Sequence, residues 1–167
     1  MASNKPTPEL AAQIKAAEAK YGDLPKGLLE EIASVESEGG RNLVNPKSSA
    51  RGPFQFMEEW GPEFGLMTES DRMDVAKSTD AAARKVLKNR ADLSKRLGRD
   101  VTPGELYLAH QQGAAGAAKL LKNPNALARD VVGGKDPDGK IRLNGGDPTK
   151  TTAGAFATKW TANIDKA

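Results

Sequence analysis

The chain has no cysteine, one histidine and eight aromatic residues in 167 positions, and each scarcity closes off a class of chemistry. Without cysteine there is neither a disulfide framework nor a thiol nucleophile. His110 alone cannot build a histidine-rich metal site, which draws several imidazoles together. The two Trp, two Tyr and four Phe do not alternate with basic residues, so no base-stacking platform is read. Net charge is +3 with both signs mixed. That suits an anionic polymer but falls short of the basic stripe of a nucleic-acid binder. No apolar run approaches the roughly 20 residues of a membrane helix. The opening MASNKPTPEL lacks a basic stretch leading into an apolar segment, so no secretory signal is read and export is expected by another route.

What is present describes a globular chain. Hydrophobic residues are 38% and charged residues 28%, too apolar for disorder, and the length suits one domain with a real core. Helical periodicity dominates. Thr7-Pro8-Glu9 is a capped start for a helix to about Lys20, stopped near Tyr21-Gly22-Asp23. Pro25 is expected to open a second helix ending at Gly39-Gly40. Residues 41–53 are loop by composition, and Phe54–Trp60 is expected to form a short helix broken by Gly61-Pro62. A long helix is expected from about Met73 to Leu97, ended by Gly98. Thr102 and Pro103 start another, continuous to about Lys122, with Leu106, Ala109, His110, Gly113, Ala117, Leu120 and Leu121 on its stripe. A short helix follows near Asn125–Asp130. Residues 133–150 are turn-rich, with a small hairpin expected at Lys140–Leu143. Thr151–Lys166 carries Phe156 and Trp160 at helical spacing and is expected to dock on the body.

The residue that stands out is Glu36. In LLEEIASVESEG, residues 28–39, it shares the i, i+3, i+4, i+7 stripe with Leu29, Ile32 and Ala33. A carboxyl on a buried stripe is expected to hold its proton above the ordinary glutamate range, as acid catalysis at a sugar–sugar bond requires. The alternative is an ordinary helix-terminal glutamate reaching water. Its position opposes the helix dipole, which disfavours an anion at a C-terminus. Asp136-Pro137-Asp138-Gly139 has the opening of a calcium loop but not its remaining ligands, and is read as a plain turn.

ESEGG at 36–40 and ARGPFQF at 50–56 together resemble the goose-type-lysozyme-like lytic transglycosylases. That family pairs a helix-ending Glu-Ser with a Gly-Leu-Met-Gln segment, here Gly52-Pro53-Phe54-Gln55. Its third element, Ala-Tyr-Asn-Ala-Gly, corresponds to Ala109-His110-Gln111-Gln112-Gly113, where His110 and Gln111 depart from the pattern. The resemblance covers about residues 25–125. It implies a mainly α, lysozyme-like helical domain over residues 1–167, with a turn-rich or hairpin insertion and a helix in 131–167. Variants of this kind resemble phage-encoded, virion-associated or endolysin-like wall-degrading domains.

The resemblance implies that Glu36 is the catalytic residue, with Ser37, Phe54, Gln55, His110 and Gln111 binding substrate. Ser37 either orients substrate and the acid or is a helix-end hydroxyl. Gln55 either bonds an N-acetyl sugar, with Phe54 and Phe56 anchoring its segment, or bridges loops. His110 either orients Glu36 or substrate, or simply packs. The implied reaction is cleavage of the N-acetylmuramic acid–N-acetylglucosamine bond with formation of a 1,6-anhydro end, because only one carboxylate is well placed. No cofactor and no metal are expected. The expected partner is the peptidoglycan glycan strand, met by a monomer without membrane insertion or nucleic acid. A hydrolytic muramidase of the same fold, with Glu58 or Asp71 managing water, and a non-catalytic wall-binding module are the rival readings. Glu38, Glu59 and Glu63 are further carboxylates, expected on solvated faces.

Overall fold

The computed structural model describes residues 4–162 and 164–165. Thr7 caps α1 (Pro8–Lys20) by accepting the Leu10 N–H, with Pro8 in the first turn. α2 is Leu28–Ser37. It begins later than Pro25 suggests, because Gly27 turns left-handed at φ 79° and the chain enters the helix only after it. Leu10, Ile14 and Ala17 of α1 are buried, as are Leu29, Ile32 and Ala33 of α2, and the two helices pack together.

The segment after α2 corrects the sequence reading. Phe54–Trp60 is not helical. Gly52 and Gln55 both take positive φ, 80° and 48°, and the chain folds into a tight turn in which Arg51 bridges Val44 on one side and Phe56 on the other. A 3-10 turn at Pro62–Phe64 follows. The long helix is observed with the expected end, preceded by a short helix that the sequence reading did not include. α3 (Glu69–Met73) carries a full capping box between Thr68 and Asp71, and the extended backbone at Asp74 separates it from α4 (Val75–Leu97). Gly98 ends α4 as expected, its N–H bonding Ser94 O at 2.8 Å.

The chain divides into two compact units, Met1–Leu87 and Lys88–Ala167, the boundary falling inside α4. In the second unit, α5 (Pro103–Lys122) starts with a capping box between Thr102 and Glu105. It is not continuous: Gly113 sits at φ 71°, ψ 157° and kinks it. α6 is Ala128–Val131. The expected hairpin at Lys140–Leu143 is instead the end of α7 (Pro137–Leu143), started by Asp136, whose carboxylate accepts the Gly139 N–H at 2.8 Å. Asp138 pairs with Arg129 at 3.2 Å. The segment read as a plain turn is therefore a capped helix start. α8 (Ala153–Thr161) docks on α5, burying Phe156 and Ala157 with Leu108, Ala109, Ala114 and Ala117. α8 ends at Thr161, short of the expected reach, with Ile164 and Asp165 in a turn whose N–H groups bond Thr161 O, and Lys166 lies outside the described residues. Among the described residues pairing is limited to isolated bridges and no helix is long and apolar enough to cross a membrane, so the chain is mainly helical.

Candidate functional site

Glu36 lies in the last turn of α2 and is half-buried, whereas Leu29, Ile32 and Ala33 on the same stripe are buried. The apolar stripe therefore reaches the acid and ends there. Immediately afterwards Glu38, Gly39 and Gly40 all adopt positive φ. The reversal is enforced from outside: a Cβ on Gly39 would meet Lys5 O at 2.5 Å and Asn4 O at 2.8 Å, backbone that cannot retreat.

Ser37 ties this helix end to the second motif. It is 1% exposed. Its hydroxyl lies 2.7 Å from Pro53 O and 3.1 Å from Ala33 O as acceptors, and takes the Gly40 N–H at 2.9 Å. The role is a clip between α2 and the Gly52–Gln55 turn. Within that turn Gly52 N–H bonds Leu43 O at 2.8 Å, and a Cβ on Gly52 would stand 1.8 Å from Arg72 O. No other residue fits there. Gln55 is half-buried, and its Nε2 donates to Gly52 O at 2.9 Å and Leu43 O at 3.2 Å. The loop-bridging reading of Gln55 is thus realised for the amide nitrogen, while its Oε1 has no hydrogen-bond partner among the described residues.

Phe54 corrects the expected substrate set. It is 3% exposed, so its ring is an anchor of the turn and offers no surface to a sugar. Arg51 is a support the sequence did not single out. Its Nη1 donates to Ser48 O and Ala50 O at 3.1 and 2.9 Å, and its Nε pairs with Glu69 at 2.7 Å, pinning the loop that precedes the turn.

Lys85 is the most consequential residue that the sequence reading missed. It projects from α4 with its ammonium 5.6 Å from the centre of the Phe56 ring. Burial pushes it below the ordinary lysine range, while the Glu36 and Glu63 carboxylates pull it back up. A cation is thus kept, at some desolvation cost, in electrostatic reach of Glu36. Among the rival carboxylates, Glu38, Glu58, Glu59 and Glu63 are exposed. Asp71 is committed elsewhere: Lys77 at 2.6 Å and the Thr68 cap lower it to about 2, too weak a base to activate water.

His110 and Gln111 stand on α5 in the second unit, just before the Gly113 kink, and both are half-buried. The His110 ring stacks parallel to Tyr107, 6.4 Å between centroids, and Tyr107 also meets the edge of Trp160 at 6.0 Å. Packing thus sets the plane of His110. Within the first unit, by contrast, Ser37 joins the end of α2, which carries Glu36, to the turn that carries Gln55.

A family model for the transglycosylase SLT domain matches residues 12–130. No curated protein matches the chain at a significant level. With well over half of its length inside that match, including all three motifs, the chain belongs to the transglycosylase SLT domain family, whose activity is of the peptidoglycan lytic transglycosylase type.

Proposed function

We propose that the chain cleaves the β-1,4 bond between N-acetylmuramic acid and N-acetylglucosamine and leaves a 1,6-anhydro end, with Glu36 as its single general acid and base. The observation that carries this reading is the Ser37 clip, which joins the end of the acid-bearing helix to the Gln55 turn through one buried hydroxyl at 2.7 Å from Pro53 O. In its acid form Glu36 gives a proton to the glycosidic oxygen as the C1–O bond breaks. The acetamido carbonyl oxygen of the muramic acid closes on C1. The Glu36 carboxylate then takes the proton of the C6 hydroxyl as that oxygen displaces the acetamido group and forms the anhydro ring. The proton ledger closes, and water is not consumed.

Gln55 Oε1 is the acceptor proposed for the sugar's N-acetyl N–H. His110 and Gln111 are proposed as substrate contacts from their match to the third motif. Delivery is proposed to follow the phage-type route that the family resemblance implies. A hydrolytic reading has one observation in its favour: Lys85 is drawn by Glu63 as well as by Glu36, so a second carboxylate acts on the same cation. Mass spectrometry of the soluble muropeptides separates the two readings. Products lighter by one water than their reducing-end counterparts are expected; reducing ends alone would replace the lyase reading with the hydrolytic one.

A further inference from the structure

Residues 4–7 lie across the exit of α2, the helix that carries Glu36, and bond to it at three places. Asn4 N–H donates to Ser34 Oγ at 2.8 Å, and Ser34 is buried. Thr7 N–H donates to Gly39 O at 2.9 Å. Between these, Arg41 Nη1 donates to Lys5 O at 2.6 Å and to Glu38 O at 2.8 Å, stitching the segment to the turn. Pro6 and Pro8 stiffen the segment, because each fixes its own φ and keeps the residue before it extended. Thr7 accordingly sits at φ −59°, ψ 154°. The turn so held is costly. Glu38, Gly39 and Gly40 pass in succession through φ 54°, 71° and 86°, and Glu38 has a Cβ that this region disfavours. One left-handed residue is enough to stop a helix. Backbone strained further than that persists only where its surroundings over-determine it, a pattern concentrated at functional sites. Glu36 stands two residues before Glu38, in the last turn of α2. The Ser37 hydroxyl ties that helix end to the Gln55 turn, and residues 4–7 tie it independently.

We infer that residues 4–7 and Arg41 form a strap that positions Glu36 for proton transfer, with Arg41 as the positioning residue. The inference rests on the proposed role of Glu36 as acid and base. Arg41 acts through the backbone. Its two bonds fix Glu38 O against Lys5 O, the exit of α2 keeps its direction, and the Glu36 carboxyl keeps its aim at the glycosidic oxygen. Arg41 and Glu38 are both exposed, so a segment that merely packed there would lose little with the arginine.

Turnover of soluble peptidoglycan strands by the full chain tests this, at a temperature well below Tm so that native chain and variants are all folded. Arg41→Ala should lower kcat roughly tenfold, since a misplacement of about 1 Å costs on the order of a hundredfold. KM should stay at the native value, because an interaction felt only in the transition state lowers kcat and kcat/KM together. Arg41→Lys keeps a donor for Lys5 O and should recover most of the rate. Ser34→Ala removes the other anchor and should lower kcat several-fold, again at constant KM. Hydrogen exchange should report release of the strap, with faster exchange at the Thr7 amide in Arg41→Ala. A kcat within about twofold of native in folded Arg41→Ala and Ser34→Ala overturns the inference, as does a loss in Arg41→Ala that Arg41→Lys fails to restore. A native chain that cleaves no strand overturns the wall-cleaving reading and the inference with it. That failure is told apart from the first, in which native chain and variants cleave equally.

Discussion

Ser37→Ala is the substitution that tests whether one hydroxyl holds the two motifs together. The side chain is 1% exposed and serves Pro53 O at 2.7 Å and Gly40 N–H at 2.9 Å. Alanine leaves the Pro53 carbonyl without a partner, while the Gly40 N–H keeps its bond to Ser37 O at 3.1 Å. Pro53 is fully buried, so its carbonyl bears a desolvation cost of about 1–3 kcal/mol. In a chain of this size each kcal/mol moves Tm by about 2–4 °C, so a fall of roughly 2–12 °C is expected by scanning calorimetry. Hydrogen exchange should report the same event locally, with faster exchange through residues 51–56. Wall cleavage should fall with it, since Gln55 rides on the released turn. A Tm within about 1 °C of the native value and unchanged protection through residues 51–56 would refute the clip, because such a result is what an inconsequential surface hydroxyl gives.

Gly52→Ala should be worse for stability, by roughly 2–5 kcal/mol, because left-handed strain adds to a Cβ that would stand 1.8 Å from Arg72 O; little soluble folded protein on expression is the expected readout. Lys85→Met tests the cation near Glu36. Burial places the folded-state value of Lys85 below the ordinary 10.5, so between those two values the unfolded chain binds more protons and this group's contribution to stability rises with pH. The variant should lose that rise in a Tm series up to pH 10.5 and match or exceed native stability near neutrality.

Much of the site was legible because its two motifs are short, local and punctuated. The Glu36 stripe follows from 3.6-residue periodicity, and the stop at Gly39-Gly40 follows from residues that tolerate positive φ. The caps at Thr7 and Thr102 were legible for the same local reason, and the spacing of Phe156 and Trp160 showed that the last helix docks on the body, though not that α5 receives it. Failures came where tertiary constraint overrode propensity. Phe54–Trp60 has helix-compatible residues, but Arg51 and Leu43 pull its start into a turn that Gln55 completes at positive φ. Gly113 sits in an alanine-rich run that reads as continuous helix, although a glycine there weakens it by about 1 kcal/mol and marks where a kink forms most easily. The Lys140–Leu143 segment has a strand-like alternation too short to outweigh the Asp136-Pro137 helix start. Lys85 could not be found at all, since its place over the Phe56 ring and near Glu36 is a matter of how α4 meets the loop, and no spacing in the sequence encodes it.

Turnover of purified peptidoglycan by Glu36→Gln addresses the central claim most directly. The amide keeps the shape of the side chain and cannot exchange a proton, so release of soluble muropeptides should drop by about 10²–10⁴-fold while circular dichroism and Tm stay native. Release at the native rate by a folded variant would contradict the assignment of Glu36 as the acid and base.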